Sequence, residues 1–126
     1  MVQVNFLKKR AEEFLKTADY HLKEGFYHLT AFDLEQALQL YLKYFLFLKL
    51  KDYPKTHSLK ELMKNLGKAY HKESEIKKII EKNIHLIANL EEAYISSRYL
   101  PAEFTLKQVK EMKKFVEDFI KFLKTL

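Results

Sequence analysis

Residues 27–50 limit the fold of this chain more than any other segment, because they are largely apolar and follow a helical rather than an alternating pattern. At about 100° per residue, their apolar side chains cover most of the circumference of a helix. Gln36, Gln39 and Lys43 fall within roughly 60° of one another and form a thin line, which we call the polar line. A helix that is apolar on every side towards its end, as this one is, is either the centre of a bundle or a subunit contact.

The polar line has two interpretations, and the sequence leaves both open. A buried polar group without a partner costs about 1 to 3 kcal/mol, so these side chains either face solvent or hydrogen-bond within a site. In the first case the line is the solvated stripe of an amphipathic helix. In the second case it marks a functional site.

Apolar residues recur with a helical period along the rest of the chain, and capping residues, glycine or proline separate the periodic segments. No segment shows sustained strand alternation. We therefore predict an up-and-down antiparallel helical bundle of four long helices plus one short helix, in a single domain over residues 1–126. The first predicted helix is residues 4–24 and ends at Gly25, and the second is residues 27–50 and ends before Pro54. A short third helix begins with a capping box at Ser58–Glu61 and is weakened at Gly67. A long fourth helix runs from a Ser74 cap to about Tyr99, and the last runs from a Thr105–Gln108 capping box to the C-terminus.

Composition narrows the cellular setting and the partners. The chain has no cysteine and no apolar run near the roughly 20 residues that span a bilayer, so we expect a cytoplasmic protein without disulfides. Its net charge of +6 comes from lysine, since Arg10 and Arg98 are the only arginines. This charge permits RNA or a nucleotide as ligand without specifying one. The high lysine and glutamate content also fits the surface of a thermophile protein.

Several enzyme classes are excluded because their motifs are missing. A di-iron site in a helical bundle needs Glu-x-x-His pairs, and no histidine of this chain follows a glutamate at that spacing. No phosphate-binding glycine loop, HExxH or GxSxG motif is present. We therefore expect no metal and no cofactor. His21, His28, His71 and His85 lie among charged residues of helices and are expected to be exposed.

His57, Arg98 and Tyr99 are candidate site residues outside the polar line. His57 precedes the helix N-terminus at Ser58, where free N–H groups and the helix dipole attract anions, so its imidazole can help to hold a phosphate. Arg98 and Tyr99, at the end of a helix, combine a rigid cation with a ring that can stack or donate a hydrogen bond. Simpler roles stay open: His57 as a packing residue before the cap, and Arg98 as a cation that favours a helix C-terminus.

The motifs together resemble the HEPN family, the helical domains named for nucleotide binding in higher eukaryotes and prokaryotes. The resemblance covers nearly the whole chain and rests on the order and spacing of short motifs. These motifs are Ala11-Glu12-Glu13, Gly25-Phe26-Tyr27, Ala31-Phe32, Gln36-Ala37, Lys43, Lys55-Thr56-His57-Ser58-Leu59, Leu62 and Tyr94-Ile95-Ser96-Ser97-Arg98-Tyr99. The resemblance implies a helical bundle, commonly a homodimer, that often works beside a small nucleotidyltransferase encoded as a separate protein. Some members are metal-independent ribonucleases or toxins, including toxins of toxin–antitoxin pairs.

Two departures from the family pattern bear on activity. Ribonuclease members share an Arg followed after four to six residues by His, and neither arginine of this chain has a His at that spacing. The usual Glu of the second helix is replaced by Gln39. The resemblance therefore implies a nucleotide-binding or substrate-binding subunit that acts with a separate nucleotidyltransferase and has no catalytic residue of its own. Its expected ligand-binding residues are Gln36, Lys43, His57, Arg98 and Tyr99.

Two other functions remain open beside that expectation. One is a metal-independent ribonuclease of toxin type that uses His57 and Arg98. The other is a purely structural dimerising bundle whose polar line is only solvated. In each case we expect a homodimer, because the end of the second helix, around Phe47, is apolar on every side.

Overall fold

The computed structural model describes residues 2–99, 101 and 103–126, with side chains for all of these except residues 2–4, 97 and 98. The described residues form helices without any β-strand, so the predicted all-α class is confirmed. The helices are α1 (Val2–Lys23), α2 (Tyr27–Leu50), α3 (Leu59–Ala69), α4 (Glu73–Lys82), α5 (Ile84–Tyr99) and α6 (Leu106–Leu123).

The turn between α1 and α2 is fixed by Gly25, as the sequence predicts. Gly25 has a φ of 79°, in the left-handed region that glycine adopts without steric cost. The amide of Phe26 donates to the carbonyl of His21, and the amide of Gly25 donates to that of Leu22. This pair of bonds is a Schellman motif, which satisfies the last carbonyls of α1 and returns the chain alongside it.

Helix α2 is the centre of the fold, because it contacts α1, α3, α5 and α6. Its fully buried apolar residues include Leu34, Leu38, Tyr41 and Leu42. The end of the helix is less buried than its middle, with Leu48 38% exposed and Leu50 54% exposed. Phe47 is half-buried and lies 6.4 Å from the Tyr53 ring, between ring centres, so this residue already packs within the chain.

The start of α3 differs in one detail from the predicted capping box. The Ser58 hydroxyl accepts from the Glu61 amide, as predicted, but the Glu61 carboxylate accepts a hydrogen bond from the Thr56 hydroxyl. That hydroxyl in turn accepts from the Ser58 amide. Thr56 therefore takes the place of Glu61 in the reciprocal half of the box.

Gly67 lies in the last turn of α3, which continues to Ala69. A Cβ atom at Gly67 would lie 3.2 Å from Cγ1 of Ile76 and 3.3 Å from Cα of Glu73. The glycine is therefore a close-approach residue, which lets α3 and α4 pack against each other.

The predicted fourth helix is divided into α4 and α5 at Asn83, so the described chain has one helix more than expected. The Asn83 amide and its side-chain Nδ2 both donate to the carbonyl of Ile79, at 3.1 and 2.9 Å. An asparagine side chain that competes for backbone groups in this way favours a helix end. The start of α4 also differs, because Lys72 occupies the N-cap position in place of the predicted Ser74.

Helix α6 begins with the predicted capping box. The Thr105 hydroxyl accepts from the Gln108 amide, and the Gln108 side chain accepts from the Thr105 amide. The apolar face of α6 is buried from Val109 to Leu123. None of the described helices has both the length and the apolar content of a membrane-spanning segment.

Candidate functional site

A buried carboxylate, Glu35, lies at the centre of the polar side chains of α2. Its side chain is fully buried, although it sits on the most apolar helix of the protein. The Gln36 amide donates to Oε1 of Glu35 at 2.7 Å, and the Gln39 amide donates to Oε2 at 2.8 Å. Lys43 then donates to Oε1 of Gln39 at 3.2 Å. We call Glu35, Gln36, Gln39 and Lys43 the α2 polar cluster.

Burial raises the pKa of Glu35 to about 7, even though the hydrogen bonds from Gln36 and Gln39 oppose that shift. The nearby carboxylate of Glu91, on α5, raises the pKa further, and Lys43 lowers it. Burial dominates because a charge without full solvation is costly in a protein interior. Glu35 is therefore only partly ionised near neutral pH and cannot fully neutralise Lys43.

Sequence reasoning missed Glu35, although a signal for it was present. Position 35 precedes Gln39 by one helical turn, only about 40° away around the helix axis. An acid and an amide at that spacing are neighbours on a helix surface. The family resemblance called for a Glu where this chain has Gln39, and the structure shows that Glu35 supplies a carboxylate directly to that residue.

Two lysines share the ring of Tyr53, in the segment between α2 and α3. The Nζ atom of Lys43 lies 5.7 Å from the ring centre and that of Lys55 lies 4.8 Å from it. Neither lysine makes an ion pair within 4 Å in the described part of the chain. Burial and the positive charge of Lys55 lower the pKa of Lys43. We call Lys43 and Lys55 the lysine pair.

The N-terminus of α3 is occupied by a carboxylate of the protein itself. Oε2 of Glu91 accepts from the Ser58 hydroxyl at 3.2 Å and from the Lys60 amide at 3.3 Å. A carboxylate at this place is favoured by the helix dipole. The expectation that this N-terminus offers free N–H groups to an external phosphate is therefore corrected, because Glu91 already uses the Lys60 amide.

His57 packs against α5 but remains exposed to solvent. Its ring stacks on that of Tyr94, with centres 4.8 Å apart and an angle of 25° between the planes. Nδ1 of His57 lies 3.2 Å from the Tyr94 hydroxyl. Tyr94 also stacks on Phe32 of α2, at 6.5 Å between centres. The imidazole is thus the outermost of three aromatic rings that connect α2, α5 and the segment before α3.

The structure brings some of the expected site residues into shared contacts. Gln36 and Lys43 belong to the same cluster through Glu35 and Gln39. His57 joins that region through α5, which carries both Tyr94 and the Glu91 carboxylate. Tyr99 is 74% exposed at the end of α5. The side chain of Arg98 lies outside the described residues, so its expected role keeps the status of a prediction.

His21 differs from the sequence expectation of an exposed histidine. Its Nδ1 lies 2.6 Å from Oδ2 of Asp33, and the side chains of the two residues are only 19% and 5% exposed. Burial raises the pKa of Asp33, while the hydrogen bond and charge of His21 act in the opposite direction. This pair connects α1 to α2 near the turn at Gly25.

The open clefts elsewhere on the described surface include two of about 450 and 500 Å³. One, of about 450 Å³, lies between α3 and α4 and is lined by several lysines. The other, of about 500 Å³, lies between α6 and the junction of α4 with α5. In the part of the chain that is described, no group of three or more His, Cys, Asp or Glu side chains is placed to hold a metal ion.

The fold and the polar cluster define an all-helical domain with a buried polar centre. The family model described as HEPN domain matches residues 4–126, which is essentially the whole chain. The chain therefore belongs to the HEPN family, whose members are generally related to nucleotides and RNA. Neither the curated proteins nor the solved structures compared with it include a significant match.

Proposed function

We propose that this HEPN domain binds a nucleotide through its phosphate groups at the lysine pair and does not catalyse a reaction by itself. The observation that supports this most strongly is the placement of Lys43 and Lys55 around the ring of Tyr53, without an ion pair within 4 Å in the described chain. Two like charges near each other are mutually repulsive, and an anionic ligand would remove that repulsion.

The α2 polar cluster supports the same proposal through its contact with Lys43. Gln39 accepts a hydrogen bond from Lys43 and thereby positions its amine. Glu35 holds Gln39 but is only partly ionised near neutral pH, because burial raises its pKa to about 7. The cluster therefore orients Lys43 without cancelling its charge.

His57 and the residues at the end of α5 complete the proposed site. The exposed imidazole, stacked on Tyr94, offers a flat surface to a nucleobase. Arg98 follows Tyr94 four residues later in the sequence. In this proposal Gln36, Arg98 and Tyr99 contact the ligand around the lysine pair.

Isothermal titration calorimetry with ATP as probe tests the proposed phosphate contact. The double variant Lys43→Gln/Lys55→Gln should weaken ATP binding at least tenfold at low salt, since each lost charge contact removes a salt-sensitive attraction. The matched control is Lys107→Gln/Lys110→Gln, which removes the same charge from two exposed positions of α6. Equal affinity of both double variants for ATP would contradict the proposal.

As partners we propose a second copy of the chain and a separate small nucleotidyltransferase. Exposed apolar side chains support a protein contact at two places: Leu48 and Leu50 at the end of α2, and Ile95 and Tyr99 on α5, which are 61% and 74% exposed. Clustered exposed apolar residues are typical of contact surfaces. Since Tyr99 is also a proposed ligand contact, a partner bound on α5 would border the ligand.

A further inference from the structure

We propose that a row of lysines along α3 is a second anion-binding surface, whose ligand is an extended chain of repeating phosphates. The row consists of Lys60, Lys64 and Lys68 on α3, joined by Lys77 across the cleft on α4. We call these four residues the lysine row. None of them belongs to the lysine pair, and this proposal does not depend on nucleotide binding there.

The spacing of the lysine row favours an extended ligand over a compact one. Lys60, Lys64 and Lys68 follow one another at four-residue intervals, so they share one face of α3. At about 1.5 Å per residue, each lysine lies roughly 6 Å further along the helix axis than the one before it. The backbone positions of the three lysines on α3 spread over roughly 12 Å of axis, and along that length a chain of phosphates presents one charge after another.

The row lines an open cleft of about 450 Å³ between α3 and α4. The two helices lie close together at Gly67, where an added Cβ would lie 3.2 Å from Cγ1 of Ile76. The buried side chains of Ile76 and Ile80 form part of the cleft lining. The walls that carry the lysines are therefore held by core packing.

The charges in the cleft leave its α3 wall positive. In the described structure none of the four lysines has an ion-pair partner within 4 Å, while other lysines, such as Lys72 and Lys113, do. Glu73 and Glu81 also line the cleft, but both belong to α4. A polyanion would therefore follow the α3 wall, where lysine is the only charged residue in the lining. Lysine binds phosphate as a point charge and needs no fixed geometry, which suits a flexible chain.

Fluorescence anisotropy with two probes tests the lysine row and separates the sources of a phosphate chain. The probes are labelled long-chain inorganic polyphosphate and a labelled single-stranded oligouridylate. The variant is Lys64→Gln/Lys68→Gln, at two exposed positions, and the control is again Lys107→Gln/Lys110→Gln on α6. Circular dichroism checks that both variants keep the helical fold.

We expect the row variant to bind at least one probe at least tenfold more weakly than the control at low salt. For the oligouridylate, the slope of log affinity against log salt should also fall by about 1.4, because each phosphate contact to a single strand contributes about 0.7. If the row variant binds both probes more weakly, the surface accepts any phosphate chain. If it binds only one probe more weakly, that probe identifies the kind of phosphate chain that is the ligand.

Two results would overturn the proposal: equal binding of both probes by the row variant and the control, or no binding of either probe by the unmodified chain. The ATP titration distinguishes this surface from the lysine pair. The row variant should bind ATP as tightly as the unmodified chain, so either proposal can fail while the other stands.

Discussion

Glu35 shows at the scale of one residue how burial and hydrogen bonding set the chemistry of the α2 polar cluster. Its carboxylate is buried away from solvent and accepts hydrogen bonds from two side-chain amides, those of Gln36 and Gln39. The loss of solvent is the larger effect, and the pKa rises to about 7 from the ordinary 4.5. The folded protein therefore binds a proton that the unfolded chain has released between these two values.

This proton makes stability depend on pH with a definite sign. The contribution of Glu35 is fully present below about 4.5 and is lost as the pH rises through about 7, since the folded state binds more protons across that window. Between about pH 5 and about pH 8 the unmodified chain should lose about 2 kcal/mol more unfolding free energy than Glu35→Gln.

Urea unfolding at the two pH values measures this difference. Other groups also contribute to the pH dependence, so the change in the unmodified chain is compared with the change in the Glu35→Gln variant. Glu92→Gln, at an exposed position of α5, is the matched control and should behave like the unmodified chain. If Glu35→Gln has the same pH dependence as that control, the buried carboxylate is ionised throughout.

At the scale of the helices, two ends use non-glycine residues in left-handed conformations. His71 has a φ of 57° and Lys51 a φ of 62°. After α3 the Lys72 amide donates to the carbonyl of Gly67 and the His71 amide to that of Lys68, which is a Schellman motif with histidine at the position that prefers glycine.

Replacement of His71 by glycine should therefore stabilise the protein by about 0.5 to 1 kcal/mol, because glycine adopts this conformation without the Cβ clash. Chemical denaturation at constant m-value measures the gain. Lys78→Gly, at an exposed interior position of α4, should instead lose about 1 kcal/mol. A loss of stability in both variants would show that the His71 side chain contributes more than its backbone strain costs.

The bounds of the helices were predictable from sequence where the apolar period and the capping residues pointed to the same ends. They were less predictable where a side chain hydrogen-bonds to a backbone carbonyl and ends the helix. The bounds of α2 and the capping box of α6 follow from sequence. The division at Asn83 does not, because the apolar period continues across it while its side chain bonds to the carbonyl of Ile79.

In the candidate site, Glu91 was missed because its partners, Ser58 and Lys60, lie far away in sequence.

At the scale of the whole molecule, exposed apolar residues predict self-association. Phe47 is a poor test residue because it packs on Tyr53 within the chain. Light scattering at micromolar concentration should give the mass of a dimer, and Leu50→Glu should give that of a monomer, since a buried charge is costly in an interface.

Leu106→Glu, at a 40% exposed position of α6, is the matched control and should remain dimeric. If Ile95→Glu dissociates the dimer and Leu50→Glu does not, the contact lies on α5 instead of the end of α2. A monomeric unmodified chain would exclude the homodimer.

The isolated chain is expected not to cleave RNA. General acid–base catalysis contributes about 100-fold to 10,000-fold only when the imidazole reaches the reacting group. Neither arginine of this chain is followed by a His at the spacing that ribonuclease members share. Incubation of the purified chain with mixed RNA, followed by electrophoresis, should show no turnover above a His57→Ala control. Cleavage that the His57→Ala substitution abolishes would establish the ribonuclease alternative.

The central claim is that a nucleotide binds at the lysine pair, and NMR titration of the ¹⁵N-labelled chain with ATP tests it most directly. We predict saturable shifts of the Lys43, Lys55 and His57 amide signals, weakened by added salt, while the signals of Lys107 and Lys110 stay in place. Saturable shifts confined to other parts of the chain, or no saturable shift at all, would contradict the account.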